Sequence, residues 1–145
     1  MFKKILVPVD GSENAWHALQ QATSIGEKFG SIIVVLNVIQ PYNNAALLAV
    51  PFDYATINQG NDELAKIGDR VLAMAKEHLI DYEGETEYMM KIGHPSEKIL
   101  DVAKRHECDA IVLGSRGLSS IAEFFLGSVS SKVSQYSTVP VLIVK

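Results

Sequence analysis

Two hydrophobic rhythms alternate along the chain. Residues 5–9, 32–39, 110–113 and 141–144 are short, nearly continuous apolar runs, and residues 85–92 alternate loosely between apolar and polar. Runs of this length, rich in β-branched side chains, read as strands, four of them buried on both faces. Between them apolar residues recur every three or four positions. Ala15, Ala18, Leu19, Ala22, Ile25 and Phe29 mark one amphipathic helix. Leu64, Ile67, Gly68, Val71, Leu72, Ala75 and Leu79 mark a second, and Ile99, Leu100 and Ala103 the inner face of a third. A last helix is expected over residues 128–136. The punctuation agrees. Ser12 follows Asp10-Gly11 as an N-cap, Gly30 stands where a left-handed C-terminal residue belongs, and Pro95 sits at a first helical position.

The resulting order, β-α-β-α-β-α-β-α-β, predicts an α/β fold: a doubly wound, five-stranded parallel sheet with helices on both faces. Residues 40–60 interrupt the rhythm. Pro41, Pro51 and Gly60, with Asn43, Asn44, Asn58 and Gln59, give them loop character around the apolar patch 45–50. That patch reads equally as the cover of a site or partner surface and as a short helix packed on the body.

Length and charge narrow the picture. At 145 residues the chain is expected to form one domain, residues 1–145. A domain of that size buries roughly 68–70% of its unfolded surface and needs no covalent staples. The net charge of −4 argues against a nucleic-acid partner or an anionic membrane surface, both of which need a basic footprint. No run approaches the ~18 apolar residues of a membrane span. The single cysteine, Cys108, fits a reducing compartment, and the expected location is the cytoplasm.

In open parallel sheets, ligands bind beyond the carboxyl ends of the strands, at the point where the winding reverses. Two strand ends carry polar, glycine-bearing turns: Pro8-Val9-Asp10-Gly11-Ser12 and Gly114-Ser115-Arg116-Gly117. A 3-2-1-4-5 strand order, which makes the first and fourth strands neighbours, is the simplest explanation of both. Glycine admits positive φ and lets backbone N–H groups approach an anion. Further on, Gly127-Ser128 falls where the last helix begins, and a helix N-terminus suits a phosphate. Ser128 and Ser130 add hydroxyls and Arg116 a charge. A second reading also fits these residues: Gly127 ends a short helix over 121–126, and Ser128 merely caps the next one.

The spacing Gly114-x-x-Gly117, nine residues, then Gly127-Ser128 resembles the nucleotide-binding motif of the universal stress protein family. The opening Ile5-Leu6-Val7-Pro8-Val9-Asp10-Gly11-Ser12, Gly93-His94-Pro95, Cys108-Asp109-Ala110-Ile111-Val112-Leu113-Gly114 and the closing Val139-Pro140-Val141-Leu142-Ile143-Val144 agree in order and position. The resemblance spans essentially the whole chain, least closely around residues 40–60. It implies the 3-2-1-4-5 sheet and the ATP-binding subclass. Position by position, it implies that Pro8, Val9 and Asp10 border adenine and ribose and that Val38 packs on the base. Gly114, Ser115, Arg116 and Gly117 would run beside ribose and phosphates, and Gly127, Ser128, Val129 and Ser130 would cradle the phosphates. Magnesium or manganese would bridge the phosphates, with no protein-only metal cluster. A homodimer through the C-terminal strand is also implied. That strand is uniformly apolar, and an apolar sheet edge invites pairing, so a C2 dimer with antiparallel Val141–Val144 edges is expected.

Catalytic equipment is thin. Neither a Gly-x-x-x-x-Gly-Lys-[Ser/Thr] loop nor a Gly-x-Gly-x-x-Gly fingerprint occurs, and His17, His78, His94 and His106 lack metal-ligand spacing. His94 reads as a helix-start residue, Cys108 as a buried small apolar side chain and Trp16 as packing. Asp10 is the one carboxylate that the motif ties to the site, while phosphoryl transfer needs several charge stabilisers. The expectation is an ATP-binding regulatory protein of the stress response with at most slow hydrolysis. The alternatives are an ATPase or phosphoryl/nucleotidyl transferase, and a dimeric interaction module in which nucleotide is incidental.

Overall fold

The computed structural model describes residues 1–41, 54–117 and 126–145. The apolar patch 45–50 and residues 121–125 of the intervening glycine–serine segment lie outside the described residues. Five strands, β1 (Lys4–Pro8), β2 (Ile32–Ile39), β3 (Thr86–Ile92), β4 (Ala110–Gly114) and β5 (Val141–Val144), alternate with α1 (Glu13–Phe29), α2 (Tyr54–His78), α3 (Pro95–Arg105) and α4 (Ser128–Tyr136). The strands form one parallel sheet in the order β3-β2-β1-β4-β5.

Strand continuity follows from two-sided burial. Ile5, Leu6 and Val7 are all fully buried although they face opposite sides. Ile5, Val7, Ile33 and Val35 pack with α1 and α2 residues such as Leu19 and Ala75. Leu6, Val34, Leu36 and Ile111 pack with Ile99, Val102 and Val133 of α3 and α4. Each fully buried aliphatic side chain contributes about 1.5–3 kcal/mol. On α1, Ala15, Ala18 and Ala22 face the sheet, so the helix axis lies close to it. Ser12 caps α1, its Oγ accepting the Ala15 N–H at 3.2 Å, and Gly30 ends it at φ 64°.

α2 corrects one expectation. Residues 54–60, assigned to a loop by their Asn, Gln and Gly content, are the first turns of a 25-residue helix. Extending a formed helix costs little per residue, and an interior glycine such as Gly60 costs only about 1 kcal/mol. Among the described residues, no helix is long and apolar enough to cross a membrane.

Winding reverses between β1 and β4. The chain leaves β1 for β2 through α1 on one face, and it reaches β4 from β3 through α3 on the other. The carboxyl ends of β1 and β4 therefore diverge beneath helices of opposite faces and leave a crevice there.

Candidate nucleotide site

A cleft of about 1030 Å³ lies at that crevice. Its lining brings together every position that the resemblance assigns to the nucleotide: Pro8, Val9 and Asp10 after β1, Val38 on β2, Gly114, Ser115, Arg116 and Gly117 after β4, and Gly127, Ser128, Val129 and Ser130 at the start of α4. Asp10 and Arg116 are the charged side chains among the described residues lining it.

The three helix starts that border the cleft are finished differently. At α1, Ser12 supplies its own cap. At α3, Pro95 removes one N–H, and His94 stands at the N-cap without a side-chain hydrogen bond. At α4, Gly127 rather than Ser128 is the N-cap, with φ −61° and ψ 161°, and it has no side chain to cap with. The first helical bond there runs from the Ser131 N–H to the Gly127 carbonyl at 3.0 Å. The amides of Ser128, Val129 and Ser130 precede that bond and have no intrahelical acceptor. Their partial positive charge faces a cleft in which Arg116 is the single cationic side chain among the described lining residues. The reading in which Ser128 caps this helix is thus replaced. Ser128 is its first residue, and its hydroxyl is exposed at the rim.

Glycine serves close approach here, not positive φ. The described glycines with positive φ are Gly11, Gly30 and Gly93. A β-carbon on Gly114 would lie 2.9 Å from the Asn14 carbonyl carbon, because the first turn of α1 rests on the end of β4. One on Gly127 would lie 3.2 Å from the Ser115 carbonyl oxygen. One on Gly117 would lie 2.6 Å from Asp10 Oδ2. The expectation that these positions need positive φ is therefore corrected: neighbouring atoms occupy the space where a side chain would go.

Ser115 holds the parts together. It is only 4% exposed, and all its polar groups are used. Its N–H donates to the Val144 carbonyl of β5 at 2.7 Å. Its carbonyl accepts from the Gly127 N–H at 2.7 Å and from the Ser130 hydroxyl at 2.8 Å. Its Oγ accepts from the Asn14 side-chain amide at 3.3 Å. Ser130 Oγ also lies 3.0 Å from the Gly127 carbonyl. The buried Ser130 hydroxyl is thus engaged with the protein, whereas its backbone N–H has no intrahelical acceptor.

Sequence reasoning missed the α2 wall (Leu64, Gly68, Val71), the α3 contribution (Pro95, Ile99) and Asn37. Two signals were present. Asn37 is the one polar residue in an apolar strand, and its amide donates to the Val9 carbonyl at 2.9 Å, tying β2 to the end of β1. Gly68 interrupts an apolar helical face, and a β-carbon there would lie 2.8 Å from Asn37 Oδ1. Trp16 and Cys108 do not line the cleft. Trp16 packs against the α1/α2 core and stacks on His78 with ring centroids 4.6 Å apart. Cys108 is buried, and desolvation pushes its thiol up to about 11.

Comparisons with known proteins agree with this architecture. A universal stress protein of Bacillus subtilis, YxiE, is 36% identical over 150 aligned residues, covering all of both chains. The solved structure of MJ0577 from Methanocaldococcus jannaschii superposes with a TM-score of 0.86 at 29% identity, covering all of this chain and 96% of that one. A universal stress protein of Archaeoglobus fulgidus, solved in complex with dAMP, shares the fold at a TM-score of 0.71 and 23% identity over the full length of both chains. The model of the universal stress protein family matches residues 1–145, and the chain belongs to that family.

Proposed function

We propose that the chain binds an adenine nucleotide, ATP in the first instance, in the cleft between the ends of β1 and β4, and that it acts as a cytoplasmic, nucleotide-dependent regulator in the stress response. The uncapped N-terminus of α4 carries the reading. Three backbone amides without intrahelical acceptors line one side of a cleft whose other walls offer apolar surface for a base at Val38 and an acceptor for a ribose at Asp10. The Archaeoglobus relative with dAMP has the same fold, which is compatible with this use of the cleft. Pro8, Val9 and Val38 would border the base. Gly114 to Gly117 would border the sugar and phosphates, and Gly127 to Ser130 the phosphates. Asp10 is the only carboxylate among the described lining residues, so magnesium or manganese would be held chiefly by phosphate oxygens and water.

One arginine and one carboxylate among the described lining residues are meagre provision for phosphoryl transfer, and this favours binding over turnover. Mass spectrometry of the nucleotide that co-purifies, followed by calorimetric titration with ATP, tests the binding. Protein that purifies empty and gives no heat with ATP, ADP or AMP overturns it. Single-turnover hydrolysis near ~1 s⁻¹ or faster, typical of enzymes, replaces the regulator with an ATPase. The Val141–Val144 edge lies at one end of the sheet with Leu142 exposed, so we also propose a C2 homodimer through antiparallel β5 strands. A monomer in analytical sedimentation rejects the dimer.

A further inference from the structure

The side chain that Gly117 lacks leaves a space, and the Asp10 carboxylate stands in it. Asp10 Oδ1 accepts the Ser12 N–H at 2.9 Å, a local turn that fixes how the carboxylate is presented at the start of α1. The second oxygen, Oδ2, is 2.6 Å from the place where a β-carbon on Gly117 would stand. No ordinary contact with a β-carbon is that short, and Gly117 has no positive φ to explain its identity. Exchanging the two oxygens by rotating χ2 does not relieve the clash, because an oxygen remains in the same place. Relief requires the carboxylate to turn about χ1 or to an intermediate χ2, and either motion shifts Oδ2 from this place and disturbs the bond of Oδ1 to Ser12.

We propose that Gly117 is a positioning residue for Asp10. It is a glycine so that the Asp10 carboxylate can keep its bond to Ser12 and hold Oδ2 toward the cleft as an acceptor, and not because a phosphate must approach the Gly117 backbone. The group that Oδ2 receives must be a hydrogen-bond donor, and on a nucleotide at this end of the cleft that donor is a ribose hydroxyl. The two turns after β1 and β4 thus form one unit. A side chain on the second disables the carboxylate on the first. This role of the hydroxyl rests on the nucleotide reading above, whereas the seating of Asp10 by Gly117 does not.

Two measurements on the full chain test the proposal, using Gly117→Ala, Asp10→Ala and the double variant. In the nucleotide-free protein, the backbone amide resonance of Ser12 reports its bond to Asp10. Gly117→Ala should move that resonance to its position in Asp10→Ala. A Ser12 resonance unchanged from the wild type overturns the seating, whether or not any nucleotide binds. In calorimetric titration with ATP, Gly117→Ala and Asp10→Ala should each weaken binding by about tenfold or more, the loss of one hydrogen bond to a charged group. The double variant should bind no worse than Asp10→Ala alone, because the two substitutions remove the same interaction. Multiplying losses in the double variant mean that Gly117 serves the phosphates directly, and the proposal falls. Absence of binding by the wild type defeats the nucleotide reading and the role of the ribose hydroxyl, and the Ser12 resonance then decides the seating of Asp10 by itself.

Discussion

Ser130→Ala separates two uses of one hydroxyl. The resemblance places Ser130 in the phosphate cradle, yet its Oγ is buried and lies 2.8 Å from the Ser115 carbonyl and 3.0 Å from the Gly127 carbonyl. A hydroxyl has one proton, so these two contacts amount to about one hydrogen bond. Its removal leaves neither acceptor orphaned. The Ser115 oxygen keeps the Gly127 N–H at 2.7 Å, and the Gly127 oxygen keeps the Ser131 N–H at 3.0 Å. The cost is then the net worth of one neutral hydrogen bond, about 0.5–1.5 kcal/mol. Alanine's better helix propensity offsets a few tenths of a kcal/mol of it. A net loss of about 0.3–1.2 kcal/mol lowers Tm by roughly 1–4 °C in a domain of this size. The Ser130 backbone N–H survives the substitution, so ATP affinity should change by less than about threefold, the effect of a few tenths of a kcal/mol in positioning. Differential scanning calorimetry of the nucleotide-free protein and titration calorimetry with ATP read the two effects separately. An unchanged Tm with affinity lowered tenfold or more would show that the hydroxyl turns to the phosphate, and the internal-strut reasoning would be wrong.

Ser128 is the contrasting case. Its hydroxyl is exposed at the rim, so Ser128→Ala should leave Tm within about 1 °C and weaken ATP binding by about 1.5–3 kcal/mol through loss of a charge-assisted bond; equal affinities by calorimetry would remove Ser128 from the cradle. Gly114→Ala drives a β-carbon to 2.9 Å from the α1 backbone at Asn14, which cannot swing aside. Overpacking of this kind costs about 1–3 kcal/mol, read as a lower urea midpoint, and a wild-type midpoint would contradict the close approach. Cys108 holds its proton up to about 11 in the fold, against 9.0 for an ordinary thiol, because burial disfavours the thiolate. Between those values the unfolded chain has released its proton and the folded chain has not, so this contribution is fully present below 9 and declines as pH rises toward 11. Native protein at pH 9 should accordingly resist iodoacetamide while urea-unfolded protein is alkylated, and equal rates would place the thiol at the surface.

Much of this molecule could be read from the order of its residues. Period-two and period-3.6 patterns, with Ser12, Gly30 and Pro95 as punctuation, located β1 through β5 and the bodies of α1, α2 and α3, because local burial and capping leave a periodic trace. The glycine-bearing turns after β1 and β4 pointed to the cleft because such turns at the ends of parallel strands are where a ligand finds backbone donors. Composition misled at residues 54–60, where extending a long helix outweighs weak local propensities.

Tertiary structure decided what no spacing could. The same letter, glycine, answers to different neighbours: the α1 backbone at Gly114, a carboxylate at Gly117, the Ser115 carbonyl at Gly127 and a side-chain amide at Gly68. Three serines of one motif likewise divide. Ser115 is spent on joining β5, α4 and α1, Ser130 on bracing that junction, and Ser128 remains exposed. Sequence determines which residues stand at the strand ends, because that is a matter of local periodicity. Which of their atoms remain free for a ligand depends on contacts between segments far apart in the chain, such as Ser115 with Val144 and Asp10 with Gly117, and those exist only after the sheet has assembled.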